Sequence, residues 1–139
     1  MAFRVFIDTD ILLDFTLKRD AYDTVRKLME WAIKGRIQLF ITPSIVLITS
    51  YWLTKAYGSE KAKELLSALL ADIQVIDIGH EITVNALHSR IGNIEQALQY
   101  YTALHHKLDY FITRDNSLDK AGSPALPVCR PEEFIKNNI

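Results

Sequence analysis

Two short polar clusters carry the residue types that could do chemistry. Asp8-Thr9-Asp10 follows at once on the run Phe3-Arg4-Val5-Phe6-Ile7, and Thr113-Arg114-Asp115 closes the run Tyr110-Phe111-Ile112. Both runs are short and rich in β-branched and aromatic residues, the pattern of a buried strand. A carboxylate at the carboxyl end of a strand stands where open α/β sheets place their ligands. If the two strands are neighbours in a parallel sheet, Asp8 and Asp115 converge on one edge. Two converging carboxylates offer oxygen ligands to a hard divalent cation such as Mg2+ or Mn2+. Such an ion could hold a phosphodiester, neutralise its charge and lower the pKa of an attacking water. The plainer alternative leaves Asp8 and Asp10 as cap and turn residues and Asp115 as a turn residue bonding its own backbone. Thr9 or Asp10 is the expected cap of the helix that follows.

The pattern between the clusters supplies the elements that must position them. Ile11, Leu12, Phe15 and Leu17 mark a short amphipathic helix ending near Lys18-Arg19-Asp20. A second helix, from about Ala21 to Lys34, turns Val25, Leu28, Met29, Ala32 and Ile33 inward, and Gly35 stops it. Ile37 to Ile41 reads as a strand, and Thr42-Pro43 as the cap and first turn of a helix reaching about Tyr57. That helix is apolar almost all round and is expected to be buried on more than one side. After Gly58, Ser59-Glu60 opens a helix with Ala62, Leu65, Leu66, Leu69 and Leu70 on its apolar face.

Ile73 to Ile78 makes a third strand. A helix from His80 to about Ile91 has Ile82, Val84, Leu87 and Ile91 inward, and a longer one runs from Ile94 to about Leu108. Tyr110 to Thr113 is the fourth strand. Leu126, Val128 and Cys129 add a short last one, and Pro131 opens a final helical turn. Strands alternating with helices predict an α/β fold: one three-layer α/β/α domain over 1–139, with a central, mainly parallel sheet of four to five strands.

Composition narrows the class without reaching the chemistry. The 139 residues, 49% hydrophobic and 24% charged, are those of one ordinary globular domain. No apolar run reaches the roughly 18–20 residues of a membrane span, and none resembles a signal peptide, so no membrane association is expected. The lone Cys129 cannot form an internal disulfide and suits a reducing, cytoplasmic location. Sixteen basic against seventeen acidic residues give a formal charge of −1. A chain-wide basic footprint for nucleic acid is therefore excluded, and any polyanion must be met by a local patch or through metal ions.

Three stretches together resemble the PIN-domain family. The opening Phe6-Ile7-Asp8-Thr9-Asp10-Ile11-Leu12-Leu13-Asp14 looks like a PIN-domain start. Tyr110-Phe111-Ile112-Thr113-Arg114-Asp115, with Leu126-Pro127-Val128 and Pro131-Glu132-Glu133-Phe134, looks like its end, and Glu95 to Leu104 resembles the helix before its fourth strand. The resemblance implies a metal-dependent ribonuclease acting on single-stranded RNA, often the toxin of a VapBC-type toxin–antitoxin pair. It also implies an antitoxin protein as partner and a homodimer.

The family's acidic cluster can be followed position by position. Its first aspartate falls on Asp8 and its last acidic position on Asp115. Its helix-three acid falls on Thr49 and its helix-six aspartate on Gln96; Asn93 also stands where relatives often carry aspartate. Glu95 is adjacent to the helix-six position but turned by about 100° on the helix. Four acids give about −4 to set against one or two divalent ions, and Asp8 with Asp115 gives about half of that. The resemblance thus implies Mg2+ or Mn2+ on Asp8 and Asp115, with Glu95 as a third catalytic acid. Thr9, Asp10, Thr49, Gln96, Thr113 and Arg114 are expected to contact substrate or support the ligands, and Asp119 to supply further charge. The alternative is a PIN-like module that has lost catalysis and binds RNA or an antitoxin-like protein without cutting.

Other residues fall to simpler roles. His80, His88, His105 and His106 lack partners at metal-ligand spacing and read as surface or helix-end residues. Lys18, Arg19, Arg26, Lys27, Lys34 and Arg36 bias the first third positive, as a solvated face or a wall for RNA phosphates. Arg114 could contact a phosphate or neutralise the acids by an ion pair. Tyr51, Trp52, Tyr57, Tyr100 and Tyr101 are expected to pack cores and a dimer face. A haloacid-dehalogenase-like phosphotransferase would also start with a strand and two aspartates, but a Gly-Thr pair usually follows there, and here Ile11-Leu12 does.

Overall fold

A computed structural model of the chain describes residues 2–118 and 122–138, so Asp119 lies outside the described residues. Five strands pair in parallel, in the order β3-β2-β1-β4-β5. They are β1 (Phe3–Ile7), β2 (Ile37–Ile41), β3 (Ile73–Val75), β4 (Tyr110–Ile112) and β5 (Val128–Cys129). Among the described residues seven α-helices connect and flank them: α1 (Thr9–Thr16), α2 (Tyr22–Ile33), α3 (Pro43–Tyr57), α4 (Ser59–Leu69), α5 (Gly79–Leu87), α6 (Ile94–His105) and α7 (Pro131–Asn137).

Consecutive residues of the central strands are buried: Val5, Phe6 and Ile7 on β1, Leu39, Phe40 and Ile41 on β2, Phe111 and Ile112 on β4. Neighbours along a strand point to opposite faces, so both faces of the sheet are covered and the fold has three layers. Phe6 stacks on Phe111 at 5.0 Å and Tyr100 of α6 covers Phe111 at 5.4 Å. On the opposite face Phe134 of α7 meets Tyr110 at 5.1 Å and Trp31 of α2 at 6.1 Å. The predicted α/β/α architecture holds.

The chain runs β1, β2, β3 toward one edge, then returns across the sheet to β4 on the other side of β1. The strand order therefore reverses between β1 and β4, the crevice where doubly wound sheets bind their ligands. In register, Ile7 lies beside Ile112. The residues that follow, Asp8 and Thr113, leave the strands on the same edge.

Several helix faces differ from the expected ones, each for a local reason. Helix α3 buries only Ile45, Thr49 and Leu53, and Leu47 (70% accessible), Tyr51, Trp52 and Tyr57 are exposed. A single stripe of a near-uniformly apolar helix thus meets the core, because α1 and α4 are its main packing neighbours. In α2, Trp31 is buried and Ile33 exposed, since Trp31 fills the space between Phe134 and the Arg36 guanidinium, 4.3 Å above its ring. Leu70 and Leu87 are exposed: Leu70 is already the C-cap of α4, and α5 turns Ala86, four residues after Ile82, to the core instead. Strand β3 stops at Val75, short of Ile78.

Candidate active site

Asp8 is the hinge between β1 and α1. No loop separates strand from helix, so the boundary residue keeps an extended backbone and becomes the N-cap itself, in place of the expected Thr9 or Asp10. Its Oδ1 accepts the Thr9 N–H at 2.8 Å. Its Oδ2 accepts the Thr113 hydroxyl at 2.8 Å and an amide N–H of Gln96. The carboxyl is 2% accessible, and burial pushes its pKa above the usual carboxylate range despite these three donors, with the nearby Asp115 charge acting in the same direction.

Thr113 couples the two sequence clusters. Its Oγ1 donates to Asp8 and accepts the backbone N–H of Asp115 at 3.0 Å. Asp115 is half-buried and its Oδ1 accepts the Ser117 N–H at 2.8 Å, so the turn role and the convergence with Asp8 hold together. Both predicted acids therefore lie at the β1–β4 edge.

Glu95 also reaches this edge. Its Oε1 accepts the Thr9 hydroxyl at 3.0 Å, one residue from Asp8, although it lies on the flank of α6. Gln96 occupies the inward position, 4% accessible, directly against Asp8. Asn93 caps α6 by accepting the Gln96 N–H at 3.0 Å. One turn on, Gln99 clamps α6 to the start of α3. Its carbonyl accepts the Thr42 hydroxyl at 2.6 Å and its amide donates to Ser44 at 2.6 Å. This clamp escaped the sequence reading; its signal was the three-residue spacing that puts Gln96 and Gln99 on one helix face. Thr49 is fully buried on α3 and its hydroxyl has no hydrogen-bond partner among the described residues.

Asp10 and Asp14 belong to a second network on α1. Asp10 Oδ2 accepts the Arg114 N–H at 3.1 Å while Oδ1 is buried without a partner. Burial, then the Asp8 charge, raises the Asp10 pKa from 3.8 to about 6. Asp14, unassigned from sequence, receives Arg114 Nε at 2.8 Å and Arg19 Nε at 2.9 Å. Its four-residue spacing from Asp10 was the available sign. Arg114 also pairs with Glu132 of α7 at 2.8 Å. Of the two roles open to Arg114, the structure realises the ion pair, directed to Asp14 and Glu132. Three of the six basic residues of the first third are engaged within the chain as well: Arg19 with Asp14, Arg26 with Glu30, Arg36 on Trp31.

Whether these residues suit a divalent ion can be judged from the oxygens they present. Among the described residues no three His, Cys, Asp or Glu side chains are grouped to hold a metal. Asp8 and Asp115 form an acidic pair, and Asp10 Oδ1, Thr49 Oγ1 and Gln96 Oε1 are buried oxygens without partners among the described residues. Mg2+ keeps several waters and is commonly held by one or two carboxylates together with substrate phosphate. The residues fit an ion of that kind, and a dedicated protein cage is not formed.

Comparison with known proteins agrees with this architecture. The chain is similar in structure to VapBC2 from Rickettsia felis bound to a promoter DNA fragment, at 18% identity and a TM-score of 0.67, covering 91% of this chain and 98% of that one. It is similar to a toxin–antitoxin complex from Klebsiella pneumoniae at 23% identity and a TM-score of 0.68, covering 91% and 97%. For VapC20 of Mycobacterium tuberculosis, a toxin that cleaves the sarcin–ricin loop, the values are 16%, 0.67, 85% and 95%. At these identities the likeness establishes the fold. No curated protein matches the chain by sequence. A PIN domain family model matches residues 4–117, from the first strand through the Asp115 turn. On that match, spanning both acidic clusters, the chain belongs to the PIN domain family.

Proposed function

We propose that the chain is a Mg2+- or Mn2+-dependent endoribonuclease of the VapC toxin type, which hydrolyses phosphodiesters of single-stranded RNA. The observation that carries this reading is the pairing of Asp8 and Asp115 through Thr113 at the point where the strand order reverses. Asp8 and Asp115 would hold the ion, which supplies charge neutralisation at the phosphate and acidifies an attacking water. Glu95, tethered to Thr9, is the third acid and stands ready to accept a proton from water. Thr113 fixes the relative position of the two ligands. Arg114 and Asp14 hold α1 against the Asp115 turn, so that the edge keeps its shape.

An antitoxin partner and self-association belong to the same reading. Phe15, Tyr22, Met29, Ile33, Leu65 and Leu69 line an apolar groove of about 320 Å³ between α1, α2 and α4, suited to an apolar segment of a partner protein. The exposed Leu47, Tyr51 and Trp52 of α3 support a homodimer. The chain has no helix, among the described residues, long and apolar enough to cross a membrane, in keeping with cytoplasmic action.

One observation favours the second reading, a module that binds RNA or an antitoxin without cleavage. At the helix-six position an amide N–H points at Asp8 where a carboxylate would add charge. Cleavage of a mixed single-stranded RNA with Mn2+, Mg2+ or chelator, beside Asp8→Asn and Asp115→Asn, separates the two. Metal-dependent cutting lost in both variants is expected. No cutting by the unmodified chain, with RNA still bound, would establish the binding module instead.

A further inference from the structure

We infer that Gln96 acts as a positioning residue that occupies Oδ2 of Asp8 in place of a cation, so that metal gains that oxygen only by displacing the Gln96 amide. The inference rests on the metal-dependent reading above and concerns how that site is controlled. A carboxylate offers about four lone-pair positions. On Asp8, Oδ1 is bonded by the Thr9 N–H, and Oδ2 takes both the Thr113 hydroxyl and the Gln96 amide.

These three donors differ in how firmly they are held. The Thr9 N–H belongs to the first turn of α1. The Thr113 hydroxyl is fixed from behind, because its oxygen accepts the Asp115 N–H at 3.0 Å and its proton must therefore point at Asp8. Among the described residues the Gln96 amide is anchored only by the bond to Asp8, since its Oε1 is buried without a partner there. The amide is thus the one donor that can leave without breaking anything else.

Polarity supports the same assignment. Against an ionised Asp8 the N–H edge of an amide is attractive and the carbonyl edge is repulsive, so the side chain sits N–H inward while no cation is present. The Gln99 clamp on Thr42 and Ser44 holds this turn of α6 in register, keeping Gln96 aimed at Asp8. A polar side chain 4% accessible, half satisfied and directed at the first acid of the site is more than a filler of space.

Mn2+ binding tests the inference without RNA or turnover. The full chain and Gln96→Glu, Gln96→Ala and Gln96→Met would be titrated with Mn2+ by electron paramagnetic resonance and calorimetry, with urea melts in chelator confirming that each is folded. Gln96→Glu exchanges one donor for an acceptor and should bind Mn2+ at least about tenfold more tightly, with a melting temperature that falls in chelator and recovers with Mn2+. Gln96→Ala and Gln96→Met remove the donor without adding a ligand and should bind roughly threefold more tightly than the unmodified chain. Met keeps the volume, so it reports even if Ala unfolds.

Weaker binding by the Ala and Met variants would make Gln96 a helper ligand and overturn the inference. Equal binding by all four proteins would overturn it too, while leaving the metal-dependent reading standing. Binding by none of them, Gln96→Glu included, would remove that reading and the inference together.

Discussion

Thr113→Val is the sharpest probe of how the two acids are joined. Valine matches threonine in shape, so the fully buried site is neither emptied nor overfilled. Two bonds vanish at once: the hydroxyl donation to Asp8 at 2.8 Å and the acceptance of the Asp115 N–H at 3.0 Å. A hydrogen bond to a charged group contributes about 1.5–3 kcal/mol and one to a half-buried backbone N–H about 1 kcal/mol. Asp8 keeps Thr9 and Gln96 and can take up a proton, so the loss falls toward the low end, about 2–3 kcal/mol in total.

In a domain of this size that lowers the melting temperature by roughly 7–10 °C. Urea unfolding of Thr113→Val, Asp8→Asn and the double variant gives the coupling energy, expected near 1.5 kcal/mol. Thr113→Ser, which keeps the hydroxyl, should cost about 1 kcal/mol for its lost methyl and retain RNA cleavage, which Thr113→Val should lose. A coupling energy indistinguishable from zero, or cleavage surviving in the valine variant, would refute the claim that Thr113 links the acids.

Two further outcomes follow from the α1 network. Because the folded pKa of Asp10, about 6, lies above its ordinary value of 3.8, the folded chain holds a proton that the unfolded chain has released between those values. Stability must then fall as pH rises through that window, by about 1–2 kcal/mol after discounting for partial exposure. Asp10→Asn keeps an acceptor for the Arg114 N–H and loses the titration, so urea melts in chelator from pH 4 to 7 should slope less than those of the unmodified chain; parallel curves would contradict the assignment. Arg114→Met deprives the buried Asp14 of one of its two arginines and frees Glu132, and should cost about 2 kcal/mol, Arg19 limiting the damage. Thermal melts showing no change would mean that Arg19 alone satisfies Asp14.

The sequence by itself determined the class of fold and the two acidic clusters. Strand and helix periods differ, and a buried parallel strand that ends in a carboxylate is legible wherever it occurs, as at Asp8 and Asp115. The glutamine and threonine at the helix-six and helix-three positions were equally visible as departures from the family's acids.

What only the tertiary structure decided are the partners, because a hydrogen bond joins groups far apart along the chain. Asp8 meets Gln96 across 88 residues and Thr113 across 105, while Arg114 finds Asp14 across 100. Periodicity places a side chain on a face and leaves open which neighbour that face meets. Hence Glu95, rotated off the inward position, still reaches the site through Thr9, and α3, apolar nearly all round, buries one stripe only. Gln96 shows the difference most plainly: its residue type announces a missing acid, and only its contact with Asp8 shows an amide proton where that acid's charge would be.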